Sequence, residues 1–341
     1  MAARGRFAFA SATDGARVQA MRGRSFSKHG ALLVFVTGTV VAAWMASGAR
    51  AQAETTPDAH AAVRCRKTTA IALAGRLPLA AESALQDDQA FRTAVMNSDD
   101  FRDRFASYLM RELNNAPAED RFQDALYTMT VDVLKERRPF SDLFKGKLTI
   151  KLSPTTARYY VTDDPDGLGY FRTSGWMVRY AGNEGEGIRL TTAYRVMHNL
   201  TGMKLTAVNN AEAGDVSKKG RESPHCRGCH YDGWAPLDPI AALFGKRRGI
   251  GASIEFLPPD PGVSATVAGH VVKSDRELVE LLVASNDYKV RMCRLMFKFV
   301  YGRDETSCEA PVFDRCVDVL NAEDSAVKAL DTLVSQGGFC S

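Results

Sequence analysis

Two cysteines three positions apart, followed at once by a histidine, make Cys226-Arg227-Gly228-Cys229-His230 the tightest constraint on this 341-residue chain. On one helical turn, side chains at i and i+3 share a face, so both thiols present on the same side with the imidazole next to them. That spacing lets two thiols add to the two vinyl groups along one edge of a haem while the histidine ligates its iron. Other uses of the same residues are weaker. A disulfide or redox dithiol between Cys226 and Cys229 belongs with a βαβ setting, which the polar residues before the motif do not supply. Zinc needs two further ligands, and His225 and Cys293 stand at no recognised spacing.

The residues after the motif extend the reading. Trp234 and Leu237 follow His230 closely enough to wall a porphyrin edge and exclude water from the iron. Pro236 and Pro239 fix the chain's exit, and Asp238 reads either as a cap for the short apolar turn that follows, the more ordinary role, or as an acceptor of a bond from the haem surroundings. Met292 is the expected sixth iron ligand, with His270 and then Met203 as alternatives. Met292 lies 62 residues beyond His230, inside a helical run where core packing is the ordinary role of a methionine. His270 follows Gly269 in a loop, and Met203 follows Gly202 in a turn. A thioether raises the reduction potential, whereas a second imidazole lowers it.

The N-terminus sets the expected compartment. Residues 31–46 are uncharged and apolar, Arg22, Arg24 and Lys28 precede them, and Ala51-Gln52-Ala53 closes the stretch. A basic region, a short apolar core and a small-residue exit predict a cleaved secretory signal over residues 1–53, with Met21 giving the more ordinary start. The whole chain carries +4, but removing that leader leaves 37 basic against 39 acidic residues. The remainder shows no basic stripe for nucleic acid and no apolar run long enough to span a membrane. An exported, periplasmic or envelope location suits c-type haem, which is attached after export.

Helical periodicity dominates the rest. Phe101, Phe105, Tyr108 and Leu109 follow a Ser98 cap, and a second helix is expected from Glu119 to about Arg137, stopped by Pro139. LTIKL, YYV and Asp163-Asp164-Pro165-Asp166-Gly167 suggest a small hairpin and a solvated turn. Ser274 with Glu277 predicts a capping box, Tyr301-Gly302 a helix end, and Val312–Leu320 and Ala326–Val334 two final helices. The fold class is therefore mostly α: a cytochrome c-like haem domain over 201–341 and an upstream helical domain over 54–200 with a small irregular or β insertion. Of the five remaining cysteines, up to two disulfides are expected with one thiol left over. Cys308–Cys316 and Cys293–Cys340 are the pairs considered, which leaves Cys65 odd or paired across the domains; spacing alone does not decide the connectivity.

Cys226-x-x-Cys229-His230 followed by Leu237-Asp238-Pro239, and the later block from Cys293 to Phe299 running into Tyr301-Gly302-Arg303, resemble the planctomycete-type cytochrome c-like proteins. Arg138-Pro139-Phe140-Ser141 after the first helical pair is similar to that family's upstream helical domain more loosely. Ile240 and Ala241 stand where the family continues with a glycine, and Ala242-Leu243-Phe244 replace its acidic stretch. The resemblance implies covalent haem and electron transfer with a redox protein or oxidoreductase subunit. A haem enzyme with an open distal site, a peroxidase or small-molecule reductase, is the second reading. A haem-bearing envelope interaction module is the third.

Overall fold

The computed structural model describes residues 59–182, 190–205, 215, 217–249, 254–336 and 338–340. The expected leader over 1–53 and most of the polar connection between 205 and 217 lie outside them.

The chain is mostly helical, with small antiparallel sheets. Its first half is built around an antiparallel pair. Helix α4 (Asp99–Leu113) starts where the Ser98 hydroxyl accepts the Phe101 N–H, and Asp99 and Asp100 complement the helix dipole. Phe101, Phe105, Leu109 and Leu113 recur every fourth residue on its buried face. The partner helix, α5 (Ala125–Lys135), begins six residues later than the sequence suggests. A 3₁₀ turn at Arg121–Gln123 intervenes. The Asp124 carboxylate then caps α5 by accepting the Leu126 and Tyr127 N–H groups at 2.9 and 3.3 Å. Helices α1 (Ala59–Ala74) and α3 (Asp88–Met96) pack on α4 and on each other, and the short α2 (Ala80–Ser83) packs on α3.

After α6 (Asp142–Lys145), strands β1 (Leu148–Leu152) and β2 (Tyr159–Asp163) form the expected hairpin, with Ile150 opposite Val161. Leu148 and Ile150 alternate inward, as a one-faced strand requires. The acidic stretch that follows is a turn in which Asp164 accepts the Asp166 N–H at 3.0 Å. Helices α7 (Ser174–Tyr180) and α8 (Leu190–Thr201) complete this part.

The second half carries α9 (Lys218–Arg221), α10 (Pro224–Arg227) and α11 (Leu237–Ala242). Two hairpins not foreseen from the sequence follow: β3 (Lys246–Arg248) with β4 (Glu255–Leu257), and β5 (Ala265–Val267) with β6 (His270–Val272). Ala268 and Gly269, both at positive φ, make the two-residue turn of the latter. Helices α12 (Asp275–Ala284) and α13 (Asn286–Tyr301) meet at Ser285, which accepts the Tyr288 N–H. At the start of α12 the Ser274 hydroxyl accepts the Glu277 N–H, but Glu277 reaches back to the Lys273 N–H rather than to Ser274. Gly302 ends α13 at φ +71°, a left-handed conformation that glycine adopts without a Cβ clash. Helices α14 (Ala310–Glu323) and α15 (Ala326–Val334) form a closing hairpin.

One core runs across the position where the sequence suggests a domain boundary, and Thr55–Ser341 forms a single compact unit. Helix α13 is its axis, packing on α1, α4, α8, α12, α14 and α15. Phe299 of α13 meets Phe105 of α4 edge-on at 5.0 Å, and Tyr288 meets Phe144 of α6 at 6.0 Å. Asp275 (4% exposed) takes a two-pronged bond from Arg172 at 2.6 and 2.9 Å. The α14–α15 turn accepts the Phe140 N–H on the Asp324 carbonyl and the Ser141 N–H on its carboxylate.

The disulfides are Cys65–Cys340 and Cys293–Cys316. Neither pair considered from the sequence forms. Cys293 lies on the face of α13 that packs on α14, which brings Cys316 within bonding geometry. The C-terminal tail folds back onto α1, so Cys65 takes Cys340 and Cys308 is left as an exposed thiol.

Candidate haem-attachment site

The motif sits on three short consecutive turns. Ser217 caps α9 by accepting the Gly220 N–H, and Pro224 opens α10, where its missing N–H costs nothing. Cys226 ends up on α10. Residues Gly228–Asp232 then widen into a π-helical turn that carries Cys229 and His230. Gly233 closes that turn: a Cβ there would stand 2.2 Å from the Gly228 carbonyl oxygen, so only glycine permits the return. Cys226 and Cys229 are both exposed, unpaired thiols. Between them the face over Gly228 is open, and a Cβ there would meet no atom within 4 Å.

His230 is held from behind. Its Nδ1 lies 2.7 Å from Oδ2 of Asp238, in the first turn of α11. The other oxygen, Oδ1, accepts Arg221 Nε at 3.0 Å and the Tyr231 hydroxyl at 3.3 Å. Asp238 and Arg221 have side chains only 9% exposed, whereas the His230 ring is 21% exposed. An ionised carboxylate only accepts, so the imidazole proton belongs on Nδ1 and the Nε2 lone pair is the outward donor. Burial, reinforced by the Asp238 charge, pushes the Tyr231 phenol above its ordinary range and keeps it a donor. Of the two roles the sequence offers Asp238, the cap is not made: neither of its oxygens caps α11, and both meet side chains around His230. The signal lies in a histidine and a carboxylate eight residues apart around a glycine turn.

The remaining candidates separate. Trp234 is 51% exposed, and its carbonyl accepts the Ala268 N–H at 3.1 Å, which ties the chain after the motif to the β5–β6 hairpin. Trp234, Ala268 and exposed His270 line a groove of about 380 Å³ with Thr201, Leu281 and Leu282. Met203 lies beside one end of it, its N–H donating to the Thr201 hydroxyl and its carbonyl bonded to His198 Nδ1. Leu237 turns the other way, 8% exposed in the main core, and does not share the groove with Trp234. Met292 is 1% exposed within α13 next to the Cys293 disulfide, so packing accounts for it fully. That disulfide also removes Cys293 as a thiolate ligand for zinc.

No family model, curated protein or solved structure matches the chain. Among the described residues no helix is long and apolar enough to cross a membrane.

Proposed function

We propose that this chain is an exported c-type cytochrome with one covalently attached haem, passing single electrons to or from a redox protein or oxidoreductase subunit of the periplasm or envelope. The observation that carries the reading is the donor set: two exposed, unpaired thiols three positions apart, and a histidine directly after them oriented by a buried carboxylate. Bound haem supplies an iron that cycles between two oxidation states. Cys226 and Cys229 anchor it through thioethers, and His230 Nε2 ligates on the proximal side. Met292 is packed in the core, whereas exposed His270 shares a groove with Trp234 and is tied to the chain after the motif through Ala268, so His270 is the favoured sixth ligand. The likeness of Cys226–Pro239 and Cys293–Arg303 to planctomycete-type cytochrome c-like proteins points the same way.

The exported protein, matured in a host that attaches c-type haem, tests the reading by pyridine haemochrome and intact mass. One haem per chain with Cys226 and Cys229 protected from alkylation is expected, and Cys226→Ser or Cys229→Ser loses one thioether. A haem-free mass with both thiols freely alkylated overturns the proposal. A second reading, a peroxidase or small-molecule reductase with an open distal position, is favoured by the carboxylate behind His230, which makes the imidazole a stronger donor. Carbon monoxide and cyanide separate the two: rapid binding to a high-spin iron selects the enzyme.

A further inference from the structure

We propose that Asp238 is a positioning residue that sets the reduction potential of the site, drawing it down through the Nδ1–H of His230, with Arg221 limiting the effect. This rests on the haem reading above.

The geometry assigns the three parts. The Asp238–His230 contact at 2.7 Å is a charge-assisted bond, and a carboxylate on Nδ1–H makes the ring a stronger donor through Nε2. A more anionic proximal ligand stabilises the more highly charged ferric iron over the ferrous, which lowers the potential. Burial amplifies the effect, because a carboxylate 9% exposed is poorly screened by water. Arg221, equally buried and 3.0 Å from the opposite oxygen, offsets part of that charge. A histidine held by a backbone carbonyl would meet a partial charge there; this one meets a whole one. The electron step balances simply. One electron passes between the iron and the partner redox protein, no bond in the chain is made or broken, and the proton stays on Nδ1.

The two flanking residues predict opposite shifts, which separates an electronic role from a merely structural one. Asp238→Asn keeps an acceptor at His230 but removes the charge, and it should raise the midpoint potential. Arg221→Gln leaves the carboxylate unopposed and should lower it. For Asp238→Asn a shift of about tenfold in the reduction equilibrium is expected, about 59 mV for a one-electron couple. Asp238→Glu, which restores the charge on a longer arm, should return the potential toward wild type.

The experiment is a spectroelectrochemical titration of the exported, haem-loaded full chain and these variants, after mass spectrometry has confirmed both thioethers in each. Opposite shifts for Asp238→Asn and Arg221→Gln support the proposal. Unchanged potentials, or shifts of the same sign, overturn it. Should Asp238→Asn fail to accumulate as folded protein, Arg221→Gln decides alone: a lower potential supports the proposal and an unchanged or higher one overturns it. A wild-type chain without haem is a different result, for it removes the proposed function and this inference with it, whereas a haem-loaded chain insensitive to both substitutions removes only the inference.

Discussion

Opening the clasp between Cys65 and Cys340 is the perturbation with the largest calculable effect on this chain. The bond joins residues 275 apart in sequence, against 23 for Cys293–Cys316. Loop-closure entropy in the unfolded state grows with the logarithm of that separation, which gives about 5.6 kcal/mol for the long loop and about 3.4 kcal/mol for the short one. These are upper values, because an unfolded chain that is already compact has less freedom to lose. The buried surroundings reverse the order of chemical vulnerability. Cys293 and Cys316 are fully buried, whereas Cys65 and Cys340 are half-buried at the surface. A reductant should therefore open the more stabilising bond first. Paired substitution, Cys65→Ser with Cys340→Ser, avoids stray thiols and should cost several kcal/mol in non-reducing urea titrations followed by tryptophan fluorescence. It should also cost more than Cys293→Ser with Cys316→Ser, once the packing lost at the buried pair is subtracted. Graded reduction followed by alkylation mapping supplies the second readout. Labelling of Cys293 and Cys316 ahead of Cys65 and Cys340 would refute the accessibility argument. A loss below about 1 kcal/mol on opening the long loop would refute the entropic one.

Three further outcomes follow from groups elsewhere in the core. Arg172→Met strands the Asp275 carboxylate at 4% exposure and should cost about 2–3 kcal/mol, less than a fully buried pair because Arg172 itself is one-third exposed. Urea denaturation reads this, and adding Asp275→Asn should restore part of the loss. Tyr288→Phe should be neutral or stabilising by about 1 kcal/mol, since its buried hydroxyl has no hydrogen-bond partner among the described residues; a lowered Tm would refute it. Burial pushes the phenols of Tyr108, Tyr170, Tyr180 and Tyr288 up, and that of Tyr127 to about 12. Each must stay protonated in the fold while ionising freely once unfolded, so stability is full below pH about 10 and falls as pH rises past it. A Tm that holds steady well beyond that pH while phenolate forms would contradict this burial.

Local signals were legible wherever neighbours in sequence are also neighbours in space. Ser98, Ser274 and Gly302 mark their helix ends because caps act within a few residues. The Glu119 start failed for a reason of the same scale: Asp124 outcompetes it, its carboxylate accepting two N–H groups of α5 as well as a bond from Asn114 Nδ2 at 3.1 Å. The domain boundary was not legible in this way. The polar stretch near 205–217 reads as a linker, yet α13 from beyond it supplies Phe299 to the ring cluster of α4 from before it. Polarity marks exposure of a segment, and says nothing about whether the elements on either side share a core.

The same division of scale explains the candidate site. Thioether attachment demands two thiols and an imidazole within five residues, so the chemistry itself writes a contiguous motif. What tunes the imidazole is under no such demand. Asp238 stands eight residues beyond His230 and Arg221 nine before it, and they meet only because the π-helical turn and Gly233 fold α11 back under α9 and α10. Had Asp238 been merely a cap, a neutral substitute would leave His230 as it was. With its two oxygens divided between an imidazole and a guanidinium, one substitution must alter both the orientation of the ring and the charge behind it. Under the proposed haem attachment, tuning of this site is therefore a tertiary property: the motif supplies the imidazole, and the fold sets the charge behind it.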